Sequence, residues 1–307
     1  MNFEEYLEQL ASSSRKLKIA DLQRLSGLSA EQAEQLAACW TDMDVHRRRR
    51  IPQELIDLAE DTVELNFDAV FRHALEDDDA EVRLAAVRGL WEHESPDLID
   101  KLTTLTETDD GAAVRAEAAL ALGRFVLLFE LGRLRQRHFD RAAAALRRIV
   151  ENAGEIEEVR ARAIEAIGPH DAIWVRQSVT QAYESGSHRL KVSAVHAMGR
   201  SAESRWLPLL KRELTSDEAE LRYEAAVASG LLADEAAVPS LVPLVADPDD
   251  QVRAAAMAAL GEIGGEAARR ALDGLIDGPS KATSEAAAAA LADIEADEDP
   301  LRFKLDR

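Results

Sequence analysis

One unit recurs along this 307-residue chain at a nearly fixed period, and that recurrence constrains the fold more than any other feature. Lined up, the units start at Val82, Val114, Val159, Leu190, Leu221, Val252 and Thr283, with gaps of 32, 45, 31, 31, 31 and 31 residues. Each start but the last is followed by a cation: Arg83, Arg115, Arg160, Lys191, Arg222 and Arg253. Four residues on stands Ala: Ala86, Ala118, Ala163, Ala194, Ala225, Ala256 and, in the last unit, Ala287. Nine residues on stands Gly in five of them: Gly123, Gly168, Gly199, Gly230 and Gly261. A period of this length marks a solenoid, where each unit buries its apolar face only against its neighbours and the stack presents a long surface.

The stretch 239–261 is the clearest copy. Pro239 opens a first helix, where a missing N–H costs nothing. Leu241, Val242, Leu244 and Val245 supply its apolar stripe. Asp247, Pro248, Asp249 and Asp250 make the turn and offer N-cap oxygens. Val252, Ala256 and Leu260 form one face of a second helix, which Gly261 and Gly264 end. Each unit is therefore two antiparallel helices, and the expected fold is all-α, a right-handed superhelical solenoid of such pairs. At 100° per residue, positions 0, 4, 7 and 8 from each start face the core, and positions 2, 3 and 6 point away from it.

The Asp-rich turn, Val-Arg, Ala and Leu-Gly of this unit resemble the HEAT repeat of the short bacterial, phycobilin-lyase-like class, over about residues 65–294. The resemblance implies a ladder between units in which the turn Asp meets the following Arg. By position it would use Asp79, Asp110, Asp217 and Asp250 with Arg83, Arg115, Arg222 and Arg253, and would weaken where Lys191 and Gly186 depart from the pattern. It also implies that positions 2, 3 and 6 line a concave groove. Residues 1–64 fall outside the period and read as short helices capping the first repeat, with Ser29 and Gln32 as a capping box. Residues 295–307 read as an acidic, frayed tail.

Charge narrows the partner. The chain carries 58 acidic and 37 basic residues, a net charge of −21. Phosphate binding requires neutralising cations, so nucleic acid is disfavoured, as is an anionic membrane; the acidic residues either fill solvated outer faces or suit a basic protein partner. The exception is the run 46–50, His46 followed by four arginines, next to a turn at 25–29 that resembles a helix-turn-helix; the helix after it offers Glu31 and Glu34 and no cation. The single cysteine, Cys39, excludes an intrachain disulfide and reads as a core thiol. The first ten residues are acidic without an apolar run, and no stretch is long enough to span a bilayer, so a cytoplasmic protein is expected.

No catalytic signature emerges. No phosphate loop or nucleophile elbow is present. The seven histidines are not spaced to put two ligands on one helix face. His93-Glu94 is similar to the dyads of HEAT-type iron hydroxylases, but the matching positions hold Tyr223-Glu224, Ala116-Glu117 and Ala161-Arg162. We expect no enzyme, no cofactor and no metal. The expected role is a scaffold that binds a protein or peptide. One candidate surface is the groove, at Arg88, Arg162, Glu165, His196, Tyr223 and Glu224. The other is the extra segment 125–138, at Phe125, Leu128, Phe129, Arg133 and Arg135. That segment reads either as an apolar contact rimmed by arginine or as a lengthened helix packed on its neighbour. The alternative role, implied by the resemblance, is an accessory, lyase-like or chaperone-like subunit for a cofactor or chromophore protein.

Overall fold

A computed structural model of the chain describes residues 2–12, 14, 16–276 and 281–298. These form 18 α-helices and no strand, an all-α solenoid of helix pairs in two compact units, one through Ala163 and one from Ile164. The first unit holds α1 (Phe3–Ala11), α2 (Ile19–Leu22), α3 (Ala30–Trp40), α4 (Val45–Asp61), α5 (Asp68–Ala74), α6 (Ala80–Gly89), α7 (Leu98–Thr108), α8 (Ala112–Glu130), α9 (Gln136–Glu151) and the start of α10 (Glu157–Ile167). The second continues with α11 (Ile173–Glu184), α12 (His188–Arg200), α13 (Leu207–Glu213), α14 (Ala219–Leu232), α15 (Val238–Leu241), α16 (Asp250–Ile263), α17 (Gly265–Ile276) and α18 (Lys281–Glu298).

In the second unit α12, α14, α16 and α18 stack side by side as inner helices, and α11, α13, α15 and α17 pack behind them. The sequence dictates this locally. Ser187 and Asp249 accept backbone N–H bonds at the starts of α12 and α16, filling donors a helix cannot satisfy itself. Pro243 stops α15 at Leu241, and the outer strut continues as a 3-10 turn over Val242–Ala246. The core is the expected face: Leu221, Ala225, Ala228, Val252, Ala256, Ala259 and Leu260 are all buried. The glycines nine residues on are where neighbours touch. A Cβ on Gly199 would sit 2.5 Å from Cα of Ala228, so only hydrogen lets α12 and α14 approach.

In the first unit α4, α6 and α8 are the inner row. Helix α4 takes the place of an inner helix although its sequence hides the period. Arg47 occupies the start position, while Ile51 and Leu55, four and eight on, are buried. Ser29 and Gln32 make both bonds of the capping box that opens α3.

The extra residues of the longest gap lengthen α8 and build α9. Phe125 and Leu128 point into the core, and Phe129 stacks on Phe139 with ring centroids 4.0 Å apart. The segment 125–130 is thus a helix extension packed on its neighbour, because a run of large apolar side chains on one helix is covered sooner than left wet. At the C-terminal end α18 runs through Glu298, and residues 299–307 of the expected tail lie outside the described residues.

Candidate interaction surface

Two rows of polar contacts tie successive inner helices together, and they decide which side chains remain for a partner. The first row uses the cations after the starts at Arg47, Val82, Val114, Leu190 and Leu221. Arg83 grips Asp109 with Nε and Nη2 at 2.7 and 2.8 Å, and Arg222 grips Asp247 at 2.7 and 2.9 Å. Arg48 meets Asp77 at 2.6 Å, Arg115 meets Glu155 at 2.8 Å and Lys191 meets Glu213 at 2.8 Å. Such two-pronged, charge-assisted bonds are the strong kind. The Arg222 guanidinium holds the Asp247 carboxyl below its ordinary pKa. Burial alone would raise Asp109, but Arg83 and the Gly111 N–H outweigh it and hold that carboxyl low too.

The rung acids differ from those expected. Asp77, Asp109 and Asp247 stand five residues before their starts, while Glu155 and Glu213 stand four and eight before theirs; of the named acids, Asp110 alone is reached by a rung arginine from the preceding unit, Arg83. Asp79 caps α6 and pairs with Arg49, Asp217 gives its main-chain carbonyl to Arg222, and Asp250 pairs with Arg253 of its own helix. Acids one to three residues apart can exchange these roles, and spacing alone does not say which oxygens face the neighbouring helix.

The second row lies on the face expected to be open. It joins the residue six beyond one start to the residue three beyond the next. Arg88 Nε meets Glu117 at 3.0 Å in the first unit. In the second, Ser193 Oγ donates to Glu165 at 2.6 Å and His196 Nδ1 lies 2.6 Å from Glu224. Arg189 adds bonds to Glu165 and Ser193 at 3.0 and 2.7 Å. Position 3 therefore sits in the seam between inner helices: Ser193, Ala85 and Ala255 are buried there. Position 2 also closes in places, with Ala161 fully buried.

This sorts the expected contact residues. Glu165 is buried and acts as a bridge in the seam rather than as a surface group. Arg162 is half-buried and bonds Glu158 of its own helix. His196 and Glu224 are half-buried partners of each other, and Arg88 is exposed but paired. Tyr223 stands clear, 38% exposed, and it does not stand alone. Val227 and Leu231 follow it at positions 6 and 10 on α14, half-buried and 45% exposed. The three share one helix face at spacing 4, a stripe the sequence displays once position 10 is counted with positions 2 and 6. Arg200 and Glu262, both exposed, hold the same position 10 on the neighbouring helices α12 and α16. In the extra segment, Phe125 and Leu128 offer no free surface, Arg133 pairs with Glu94 at 2.6 Å, and Arg135 is exposed.

The arginine run is engaged by partners within the chain. Arg47 donates to the carbonyls of Leu10 and Ser12 at 2.6 and 2.7 Å, closing the end of α1. Arg48 and Arg49 go to Asp77 and Asp79, and Arg50 to Glu54. Cys39 is half-buried, its Sγ 3.3 Å from the Leu36 carbonyl, and burial pushes its pKa up, away from a reactive thiolate. Among the described residues no cluster of three or more His, Cys, Asp or Glu is placed to hold a metal, and no helix is long and apolar enough to cross a membrane.

Comparison with known proteins gives the same architecture. A profile of HEAT repeats matches residues 69–168, 176–260 and 207–292. Nothing matches among curated protein sequences. Yeast importin-β (Kap95p) superposes with a TM-score of 0.55 at 13% identity, over 95% of this chain and 46% of that one. The Kap95:Nup1 complex gives 0.53 at 14%, over 95% and 46%. The complex of CpcE and CpcF of phycocyanin lyase from Nostoc sp. PCC7120 gives 0.48 at 20%, over 75% and 94%. At these identities the two importin-β likenesses speak to the fold alone.

Proposed function

Because this chain belongs to the HEAT-repeat family, we propose that it is a non-catalytic scaffold that holds a segment of another protein on the open face of α12, α14 and α16. The observation that carries the reading is the stripe of Tyr223, Val227 and Leu231, left uncovered on a helix whose other faces are packed. An aromatic anchor with aliphatic neighbours and a charged rim is the usual make-up of a binding hot spot. A stripe repeating every four residues matches an amphipathic segment laid along or across it. The histidine, carboxylates and serine beside it are engaged in the seam, where they hold the helices in register instead of facing a substrate. An accessory subunit for a chromophore protein is a special case of the same reading, since it too must grip a protein.

The test is a photo-reactive amino acid placed at Tyr223 in the source cell, with Gln177 on the exposed side of α11 as control. Position 223 is expected to capture one dominant protein that position 177 does not, and Leu231→Asp abolishes the capture. With that protein purified, Tyr223→Ala weakens binding by about 2 kcal/mol, roughly 30-fold. The same adducts from both positions would remove the assignment.

A further inference from the structure

A second uncovered surface lies in the first unit, on the opposite kind of edge: where α4 and α6 end. Ile56, Ala59, Val63, Leu65, Phe71, Gly89 and Trp91 line a cleft of ≈ 320 Å³ there. Its lips are the most exposed apolar side chains nearby, Val63 at 91% and Trp91 at 64%. Its floor is rigid. Phe71 is buried against the bare backbone of Gly89, where an added Cβ would fall 2.3 Å from the ring.

Trp91 stands nine residues beyond Val82, the position that holds Gly in the five units that follow. Helix α6 stops at Gly89, short of that position, so the indole leaves the helix at a turn instead of meeting the neighbouring helix. Large apolar groups gathered at a surface are unusual in a chain with nothing to bind, and Trp is the residue most enriched at hot spots.

The rim sets the sign of the occupant. Glu60 and Glu92 are the only charged groups lining the cleft. Asp61 and Glu64 flank Val63, exposed like Glu60 and Glu92. None of the four has an ion-pair partner among the described residues, whereas the acids of the neighbouring turns, Asp77, Asp79 and Asp109, are all matched by arginine. An apolar slot ringed by four unmatched carboxylates complements a cationic ligand with an apolar core. The volume is at the small end for a binding pocket and suits one or two side chains, not a whole helix face.

We propose that this cleft is a second docking site, which takes a basic protein segment by inserting one aromatic or aliphatic side chain between Val63 and Trp91 while its Lys or Arg residues meet Glu60, Asp61, Glu64 and Glu92. It is separate from the Tyr223 stripe, and neither depends on the other.

The test is selection of displayed random 12-residue peptides on the full chain, with counter-selection on the variant Glu60→Lys, Glu92→Lys, Trp91→Ala. All three residues are exposed, and unchanged melting of the variant checks its fold. The enriched peptides are expected to carry a large apolar residue flanked by Lys or Arg. Synthesised, they bind the parent at least 10-fold tighter than the variant, and raising salt from 50 to 500 mM weakens them. Enrichment of neutral or acidic peptides overturns the proposal, as does failure to separate the two proteins. Dimerisation of the parent that Trp91→Ala abolishes would assign the cleft to a second copy of the chain and overturn it equally.

Discussion

At the scale of single residues, the inner helices are held by carboxylates that have left water and found several donors. Asp77 is the extreme case: its side chain is wholly buried, and it accepts from Arg48, from the Trp40 indole at 2.6 Å and from the Asp79 N–H at 2.8 Å. A buried charge so surrounded costs little in place but a great deal to orphan. Asp247 repeats the arrangement with Arg222 and the Asp249 N–H. Asp247→Ala strips Arg222 of its partner, and we expect a loss of about 3 kcal/mol at neutral pH, measured by urea unfolding. The pH dependence has a definite sign. The folded carboxyl lies below its ordinary value of 3.8, so its stabilisation is complete above that pH and is lost as pH falls through the depressed folded value. Asp247→Asn should therefore differ most from the parent at pH 6–7 and converge on it in acid below pH 4. A gap that stays constant to pH 2 would show that the pair contributes by shape alone.

At the scale of helices, what joins neighbours is close approach at glycine, and two glycines make the point with opposite signs. Gly199 faces the backbone of Ala228 at 2.5 Å, where no rotamer change can make room. Gly199→Ala should destabilise by about 1–3 kcal/mol through overpacking, despite alanine's better helix propensity. Gly274, in α17, has no atom near its would-be Cβ, and Gly274→Ala should stabilise by up to about 1 kcal/mol. Thermal melting of the two variants reads both signs, and equal shifts would refute the packing argument. The first of these sites was readable in the sequence, because Gly199 recurs nine residues after its start like its counterparts. So were the core face and the Ser29–Gln32 cap, since periodicity and cap chemistry are local. What could not be read depends on which way a side chain turns between helices. The rung acids and caps are close neighbours of one type, and α4 was hidden because Arg47 fills a position that is apolar in the units from Val82 to Val252. Position 3, expected on the open face, is seam instead, because 100° per residue says nothing of how near the next helix lies, and Leu231 stands at position 10, outside positions 2, 3 and 6.

At the scale of the molecule, the helix contacts and rungs described above join neighbours in the stack, and that governs how the chain comes apart. In the second unit α14 touches α12 and α16, and the rung from Arg222 reaches only the turn that leads into α16. In the first, α6 touches α4 and α8, with rungs Arg48–Asp77 and Arg83–Asp109. Stability in such a stack is a sum over units and the interfaces between nearest neighbours, so damage at one interface is felt most beside it. Arg222→Ala should accordingly speed amide exchange in α14 and α16, less in α12 and α18, and leave α6 and α8 at the parental rate. Hydrogen-exchange mass spectrometry of native protein resolves these segments as separate peptides. A uniform rise over the whole chain would mean that the stack opens only as one cooperative body. A graded response would leave the Val63–Trp91 cleft intact when the Tyr223 stripe is loosened, so a scaffold of this construction can carry two contacts that fail independently.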